Sequence, residues 1–481
     1  SVGTDPDWSI HLALDSPAMD QPQPTTQPPA RFPLWVIALT VSMSALLTIY
    51  GAIRAFYYES SFLAPIAYTT DERPTAERLS LFLDVPPEQL LLGIHTFFDF
   101  LVSYYWGTLP NPWLEGGEVL PVNYPPLAMA FMEIWALFPY KTALAIYLPL
   151  MALALIAPMW IALRKTDWSL QVLAVAVALL SGPAIASLDR GNTQGYIPIL
   201  LFCFGFLALK GRWGWASVFL VLATSLKIFP ALLLFVLIAE RKWRAFFGSV
   251  GALIGIHTLG FIPYPGSPIA SFEAWFTAAF GFLGRGNFAG FLEYNASFVG
   301  GIAHWALLLG LAPVAHFLED YGSIVAISIT GLVVILIFLR TRLTLAVRLF
   351  AAFMTSTTVL PIAYPYTANW IIAAVALLFL GAAPALRKEA FLGQAERIGG
   401  ISCRQDQVLW ICLAVASALL LTFAPVFIPG TMESGYPAGV ASLMMPVAVV
   451  IALAGMTYTA VKARPTDFNP TPGPSIAAVV P

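Results

Sequence analysis

Charged residues are scarce in this sequence. Asp, Glu, Lys and Arg make up 10% of its 481 residues, whereas 59% are hydrophobic. Soluble domains carry about 25% charged and about 45–50% apolar residues, so this composition argues against a soluble protein and predicts a membrane protein. The formal net charge of −2 gives no basic surface, and we therefore expect no nucleic acid among its partners.

Cysteine and histidine are rare as well, with three and five residues respectively. Cys203, Cys403 and Cys412 form neither an even set nor a C-x-x-C spacing, which argues against a disulfide framework and a zinc site. No two histidines lie four residues apart, so a helical histidine pair for a metal is missing too. We expect neither a divalent metal nor another cofactor.

Long apolar runs, in contrast, fill most of the chain, and no strand-like alternation is sustained. The sequence therefore predicts an all-α, polytopic membrane protein with roughly 11–13 transmembrane helices. Runs long enough to cross about 30 Å of hydrocarbon lie near 33–53, 142–163, 168–187, 195–210, 245–262, 323–339, 344–360, 370–386, 408–427 and 437–460. Shorter candidates lie at 124–138, 214–226, 228–239 and 297–313.

The two ends are polar and rich in proline, and the first has no signal-peptide pattern. We expect residues 1–31 and 463–481 to be disordered cytoplasmic tails around one membrane domain, residues 32–462.

Basic clusters between the apolar runs indicate which loops face the cytoplasm. They lie at 164–165, 210–212, 241–244, 340–342, 387–404 and 462–464. This orientation leaves two long loops, 54–123 and 263–295, on the extracytoplasmic face. Two full crossings between 124 and 163 would place Arg164 outside, so some segments must be re-entrant or broken.

The two long loops are expected to be functional because of their length. Each contains an aromatic-rich piece, 88–106 or 271–283, that we expect to lie flat at the membrane interface as a helix. This arrangement favours an enzyme working at the membrane surface. A transporter or lipid flippase with broken helices is the alternative, and a structural membrane subunit is a third hypothesis.

Motifs in the first long loop point to a site. Asp99 lies in an aromatic stretch, and an N-P-W at 111–113 and a Y-P-P-L at 124–127 follow it. Proline is tolerated in the first turn of a helix, so Y-P-P-L is predicted to begin the next helix and to bring its start back near Asp99.

In this order the motifs resemble the GT-C superfamily of membrane glycosyltransferases, and most closely glycosyltransferase family 87, with its actinobacterial mannosyl- and arabinofuranosyltransferases. Further matches are D-R-G-N-T-Q at 189–194, L-K-I-F-P at 226–230 and N-A-S at 295–297. The stretch 361–367 departs from the family because it lacks a histidine, and Tyr366 or Asn369 is the expected replacement.

The resemblance implies an inverting glycosyltransferase that moves mannose or arabinofuranose from a polyprenyl-phosphate donor to an acceptor on the extracytoplasmic face. Its implied partners are membrane lipids, the polyprenyl-phosphate-linked sugar, and a lipid-linked glycan, glycolipid or polysaccharide as acceptor. Since phosphate is already a good leaving group, one carboxylate that takes a proton from the acceptor hydroxyl suffices.

Asp99 is the predicted base, with Asp71, Glu72 and Asp84 as alternatives. Lys227, Arg190 and Arg285 are the predicted ligands of the donor phosphate, since an ionisable residue in an apolar segment and an arginine outside are both unusual. Snorkelling and lipid headgroup contact are their respective alternatives. The predicted substrate-binding residues are Tyr104, Asn111, Tyr124, Asn192, Asn295 and Tyr366. For Tyr104 an interfacial aromatic belt is the competing interpretation.

Overall fold

The computed structural model describes residues 97–386, with gaps at 119–120, 165–167, 180, 285–296, most of 319–344, and 359–364. Helices account for 83% of the described residues, which contain no strand, so the all-α prediction is confirmed for this part. The predicted tails, the predicted helices near 33–53, 408–427 and 437–460, and Asp71, Glu72, Asp84, Arg285 and Asn295 lie outside the described residues.

Fourteen α-helices have defined bounds within the described residues, and they include most of the predicted apolar segments in that range. They are α1 (Phe98–Thr108), α2 (Pro112–Glu115), α3 (Pro126–Ala136), α4 (Tyr140–Leu163), α5 (Trp168–Leu179), α6 (Gly182–Arg190), α7 (Ile197–Leu209), α8 (Trp213–Leu226), α9 (Leu234–Ala239), α10 (Trp243–Leu259), α11 (Pro268–Gly284), α12 (Phe298–Leu308), α13 (Leu345–Thr358) and α14 (Trp370–Leu386). The described 3-10 turns are η1 (Gly116–Glu118), η2 (Thr193–Tyr196), η3 (Phe229–Leu233) and η4 (Pro365–Asn369).

Prolines mark where several helices begin. Helix α3 starts at Pro126, as the Y-P-P-L motif predicts, because a proline in the first turn gives up no helical hydrogen bond. Helix α2 starts at Pro112, and the side chain of Asn111 caps it by accepting a hydrogen bond from the Leu114 amide. The prolines and the Asn111 cap thus fix where the helices at the two ends of residues 111–127 begin.

The core forms where α4, α7 and α14 pack together. Its largest fully buried side chains include Tyr147, Phe202 and Trp370. Gly205 of α7 lies directly against the Leu377 side chain of α14, so a larger residue there would collide with it. Helix α4 of this core also contacts α6 and η2, the segments that contain Arg190 and Thr193.

Among the described residues, α4 alone is long and apolar enough to cross a membrane, with 24 residues and a mean hydropathy of 2.1. The other apolar helices have 10–17 residues. Helix α3, with 11 residues, extends only about 16 Å, well short of 30 Å of hydrocarbon. The count of 11–13 transmembrane helices therefore stays a prediction.

The position of residues 88–106 at the membrane interface stays a prediction, but the part described does not expose an apolar face as an amphipathic interfacial helix would. Helix α1 is packed inside the protein, with Phe100, Leu101 and Val102 at most 4% exposed. The second predicted piece differs, since α11 exposes Phe276 while its Trp275 is buried. Aromatic content did not distinguish a buried helix from an amphipathic one.

Candidate active site

Asp99 lies in the first turn of α1, where the partial positive charge of the helix end favours a carboxylate. Its side chain is only 14% exposed. Arg190 donates from Nη2 to Asp99 Oδ1 at 2.5 Å, and Asn192 donates from Nδ2 to Asp99 Oδ2 at 2.7 Å. Two predicted binding residues therefore hold the predicted base, one on each carboxylate oxygen.

The turn after α6 explains why these two residues reach the same carboxylate. Gly191 adopts a left-handed conformation with φ of 62°, and its amide donates to the Leu188 carbonyl as the helix ends. The Asn192 amide donates to the Ser187 carbonyl, and its side-chain oxygen accepts from the Gln194 amide at 2.9 Å. Glycine thus lets the chain reverse between the two side chains that bind Asp99.

Replacing Gly191 with Ala should separate Arg190 and Asn192 from Asp99. A Cβ at Gly191 would lie 2.6 Å from Phe100 Cβ, and its φ of 62° would be strained by about 1–2 kcal/mol. Gly211→Ala is the matched control, because Gly211 has a φ of 72° with no atom within 4 Å of an added Cβ.

Both variants should show the strain as a lower melting temperature in detergent, and only Gly191→Ala should also lose sugar transfer. Equal activity in the two variants would show that the approach of α1 to this turn does not matter.

Lys227 approaches the site from the break between α8 and η3. Helix α8 ends at Leu226, Lys227 is extended with φ of −151° and ψ of 129°, and η3 begins at Phe229, so the helix is broken within the L-K-I-F-P motif. Lys227 Nζ lies 4.5 Å from the centroid of the Tyr124 ring, within cation–π distance. In the part of the chain that the structure describes, Lys227 has no carboxylate within 4.0 Å, and Asp99 is its attractive charge at longer range.

Tyr124 contacts Lys227 with its ring and also lies near the Asp99 carboxylate. Its phenol lies against the hydroxyls of Ser103 and Thr193, and Trp113 Nε1 donates to its backbone carbonyl at 3.0 Å. Burial, followed by the nearby Asp99 carboxylate, raises the pKa of Tyr124 to about 12. The phenol therefore remains protonated at neutral pH and can donate a hydrogen bond.

Asn111 and Tyr104 have other contacts. Asn111 is 2% exposed, and its Nδ2 donates to the Pro265 carbonyl at 2.7 Å and to Ser271 Oγ at 2.9 Å. It thereby ties residues 111–115 to the second long loop. The Tyr104 hydroxyl donates to the Phe138 carbonyl at 2.7 Å. The structure does not bring either residue into the cluster around Asp99.

The 3-10 turn η4 packs against the segment that contains Arg190 and Asn192, since it contacts both α6 and η2. Asn369 is fully buried, and its amide donates to Ser187 Oγ, one turn before Arg190 in α6. Asn369 therefore supports the turn that positions Arg190. The side chain of Tyr366 lies outside the described residues.

Sequence reasoning missed Ser103 and Thr193. Ser103 lies four residues after Asp99 and so shares its helix face, while Thr193 lies inside the D-R-G-N-T-Q motif. The four-residue spacing from Asp99 and the position inside the motif could have identified these two residues from the sequence. Among the residues that the structure describes, no group of three His, Cys, Asp or Glu side chains could hold a metal ion, and catalysis without metal stays a prediction.

Comparison with known proteins identifies the family. The profile of glycosyltransferase family 87 matches residues 123–361, which include Tyr124, Arg190, Asn192 and Lys227 but begin after Asp99. No curated protein matches the chain. The predicted resemblance is confirmed: residues 123–361 match glycosyltransferase family 87, a family of membrane-associated glycosyltransferases.

Proposed function

We propose that this protein is an inverting glycosyltransferase that uses a polyprenyl-phosphate sugar as donor. The observation that carries the proposal is a mostly buried carboxylate with two cations nearby. Asp99 binds Arg190 directly, and Lys227 lies over the Tyr124 ring, near enough to be attracted by Asp99 and without an ion-pair partner among the described residues. One base and a site for an anion are what transfer from a phosphate-linked sugar requires.

In the proposed reaction Asp99 takes the proton from an acceptor hydroxyl. The hydroxyl oxygen forms a bond to the anomeric carbon as the bond from that carbon to the phosphate oxygen breaks. The phosphate leaves with the bonding electron pair. Attack from the face opposite the phosphate inverts the configuration at the anomeric carbon, as in inverting glycosidases.

Asp99 can act as a base while it remains bound to Arg190 and Asn192. An ionised carboxylate has about four lone-pair positions, and these two donors occupy one on each oxygen. The two bonds fix the orientation of the carboxylate and leave it able to accept a hydrogen bond from a hydroxyl. Arg190 and Asn192 thus act as positioning residues for the base.

Lys227 is the proposed ligand of the departing phosphate. Lys227 is partly buried, and a cation removed from water without an ion-pair partner is unfavourable, so a phosphate oxygen would provide the partner. The Tyr124 phenol, which stays protonated, is a second donor near the same position. Arg190 already donates to Asp99 and is the weaker candidate for the phosphate.

The sugar, the acceptor and the side of the membrane are inferred from family resemblance and charge. Mannose or arabinofuranose is the proposed sugar, and a lipid-linked glycan the proposed acceptor. The basic clusters favour an extracytoplasmic site.

A cysteine at Gly117, where no atom lies within 4 Å of an added Cβ, should react with an impermeant maleimide in intact cells. Reaction only after permeabilisation would reverse the proposed orientation.

The test of the function is sugar transfer by purified protein from a panel of radiolabelled polyprenyl-phosphate sugars, with synthetic octyl disaccharides of mannose and arabinofuranose as acceptors. We expect one donor to produce an elongated, radiolabelled glycoside with inverted anomeric configuration, independently of added divalent metal. Binding of the donors without transfer to either acceptor would contradict the proposal and favour a transporter or flippase.

A further inference from the structure

A groove with a volume of about 940 Å³ lies between α1, α3 and α10, away from the Asp99 cluster. Most of its lining is apolar, and the polar side chains in it are few. Its lining includes Gly107, Pro126, Glu133, Gly255, Leu259 and Tyr264. Glu133 is the one acidic residue among the lining residues.

Glu133 has hydrogen-bonding capacity that the protein leaves unused. Its Oε1 atom is buried and, among the described residues, accepts no hydrogen bond. The Tyr264 phenol lies close to this carboxylate, and burial together with Glu133 raises the pKa of Tyr264. An unsatisfied carboxylate oxygen in an apolar groove is unfavourable unless a ligand supplies a donor.

One face of α1 runs from the proposed base to the groove. Asp99, Ser103 and Gly107 follow at intervals of four residues, and residues with this spacing share a helix face. From Asp99 to Gly107, which lines the groove, the helix rises about 12 Å at 1.5 Å per residue. At Gly107, α1 touches α3, since an added Cβ would lie 2.9 Å from the Met132 carbonyl oxygen.

The lining of the groove fits one part of the two substrates better than the others. Those parts are a phosphate, an isoprenoid chain and a glycan. The Glu133 carboxylate would repel a phosphate, and an isoprenoid chain has no donor for it. The hydroxyl groups of a sugar are neutral donors, and both Glu133 and Tyr264 can bind them. A glycan is therefore the ligand class that the lining fits.

We propose that this groove binds the glycan of the acceptor, with Glu133 and Tyr264 as hydrogen-bonding residues, about 12 Å along α1 from Asp99. The proposal rests on the glycosyltransferase function proposed above. The acceptor then binds between α3 and α10, whereas the donor phosphate binds at Lys227. The donor and acceptor sites can therefore be altered independently.

The test fills the groove without disturbing the protein's packing. A Cβ at Gly255 meets no atom within 4 Å, so Gly255→Leu should place its side chain in the groove. Gly251→Leu is the matched control, because Gly251 is on the same helix, is equally open and does not line the groove. With the octyl disaccharide as acceptor, Gly255→Leu should raise the acceptor KM about tenfold or more, as loss of hydrogen bonds to a charged group would. Donor affinity should be unchanged in both variants.

A binding measurement separates a glycan site from a lipid-tail site. An octyl disaccharide carrying a diazirine should label peptides of α3 or α10, and the label should decrease in Gly255→Leu and Glu133→Gln but not in Gly251→Leu. Labelling of this groove by a diazirine-bearing isoprenoid alcohol instead would overturn the assignment in favour of a tail site.

Equal acceptor KM in the two leucine variants would reject the groove proposal alone, because transfer by the wild type would still support the proposed function. Absence of transfer by the wild type would reject the function, and the acceptor assignment with it.

Discussion

Asp99→Asn is expected to lower the rate of sugar transfer by about 10²–10⁴-fold, the usual contribution of a positioned general base. The amide has nearly the same size as the carboxylate but cannot accept the proton from the acceptor. Its oxygen can still accept one of the two hydrogen bonds from Arg190 and Asn192. Turnover of purified protein at saturating donor and acceptor measures the effect.

Donor affinity distinguishes a base from a residue that merely holds Arg190. If Asp99 is the base, kcat falls while the donor binds as before. If it only positions Arg190, donor binding should weaken as well. Asp320→Asn is the control, since Asp320 is exposed and its substitution should change neither quantity. Turnover above about a third of the wild-type value in Asp99→Asn would be far from the loss expected for a base and would exclude the role.

Lys227→Met is expected to weaken donor binding by about 10–100-fold, the range for losing a hydrogen bond to a charged group. Methionine keeps much of the side-chain volume and removes the ammonium that we assign to the phosphate. Lys227→Arg should restore part of the affinity, because a guanidinium also binds phosphate. Titration of a polyprenyl-phosphate sugar into purified protein measures each variant.

Lys210→Met is a closely matched control for this result. Lys210 Nζ lies 4.3 Å from the centroid of the Phe206 ring, much as Lys227 Nζ lies 4.5 Å from that of Tyr124. Lys210 is at the end of α7 and outside the cluster. Loss of a cation–π contact alone would affect both variants in their stability and neither in donor affinity. Unchanged donor binding in Lys227→Met would transfer the phosphate role to Arg190.

Local features of the fold could be predicted because they depend on neighbouring residues. The start of α3 at Pro126 and the break after Leu226 follow from proline's missing amide and fixed φ. The burial of α1 could not be predicted, because an aromatic-rich helix suits a protein interior and a membrane interface equally well. Its position depends on α3, against which it packs.

The candidate site was predicted in part, with Asp99, Arg190, Asn192, Tyr124 and Lys227 all named from motifs. Asn111 was named on the same basis, yet its amide binds Pro265 and Ser271. A motif records that a residue type occurs at a spacing and does not say whether the side chain is already used by the fold. Side-chain hydrogen bonds between distant segments supply that information.

The sequence by itself determined the all-α character of the described part, its apolar composition, several helix starts, and the family that residues 123–361 match. Only the tertiary structure decided which motifs meet. Asp99 and Asn192 are 93 residues apart in the chain, and their hydrogen bond depends on the packing of α1 against α6. The groove at Glu133 likewise combines α1, α3 and α10, and no local pattern specifies how three separate helices pack. Helix boundaries arise from interactions within a few residues, whereas a site arises from contacts between segments that only the folded chain brings together.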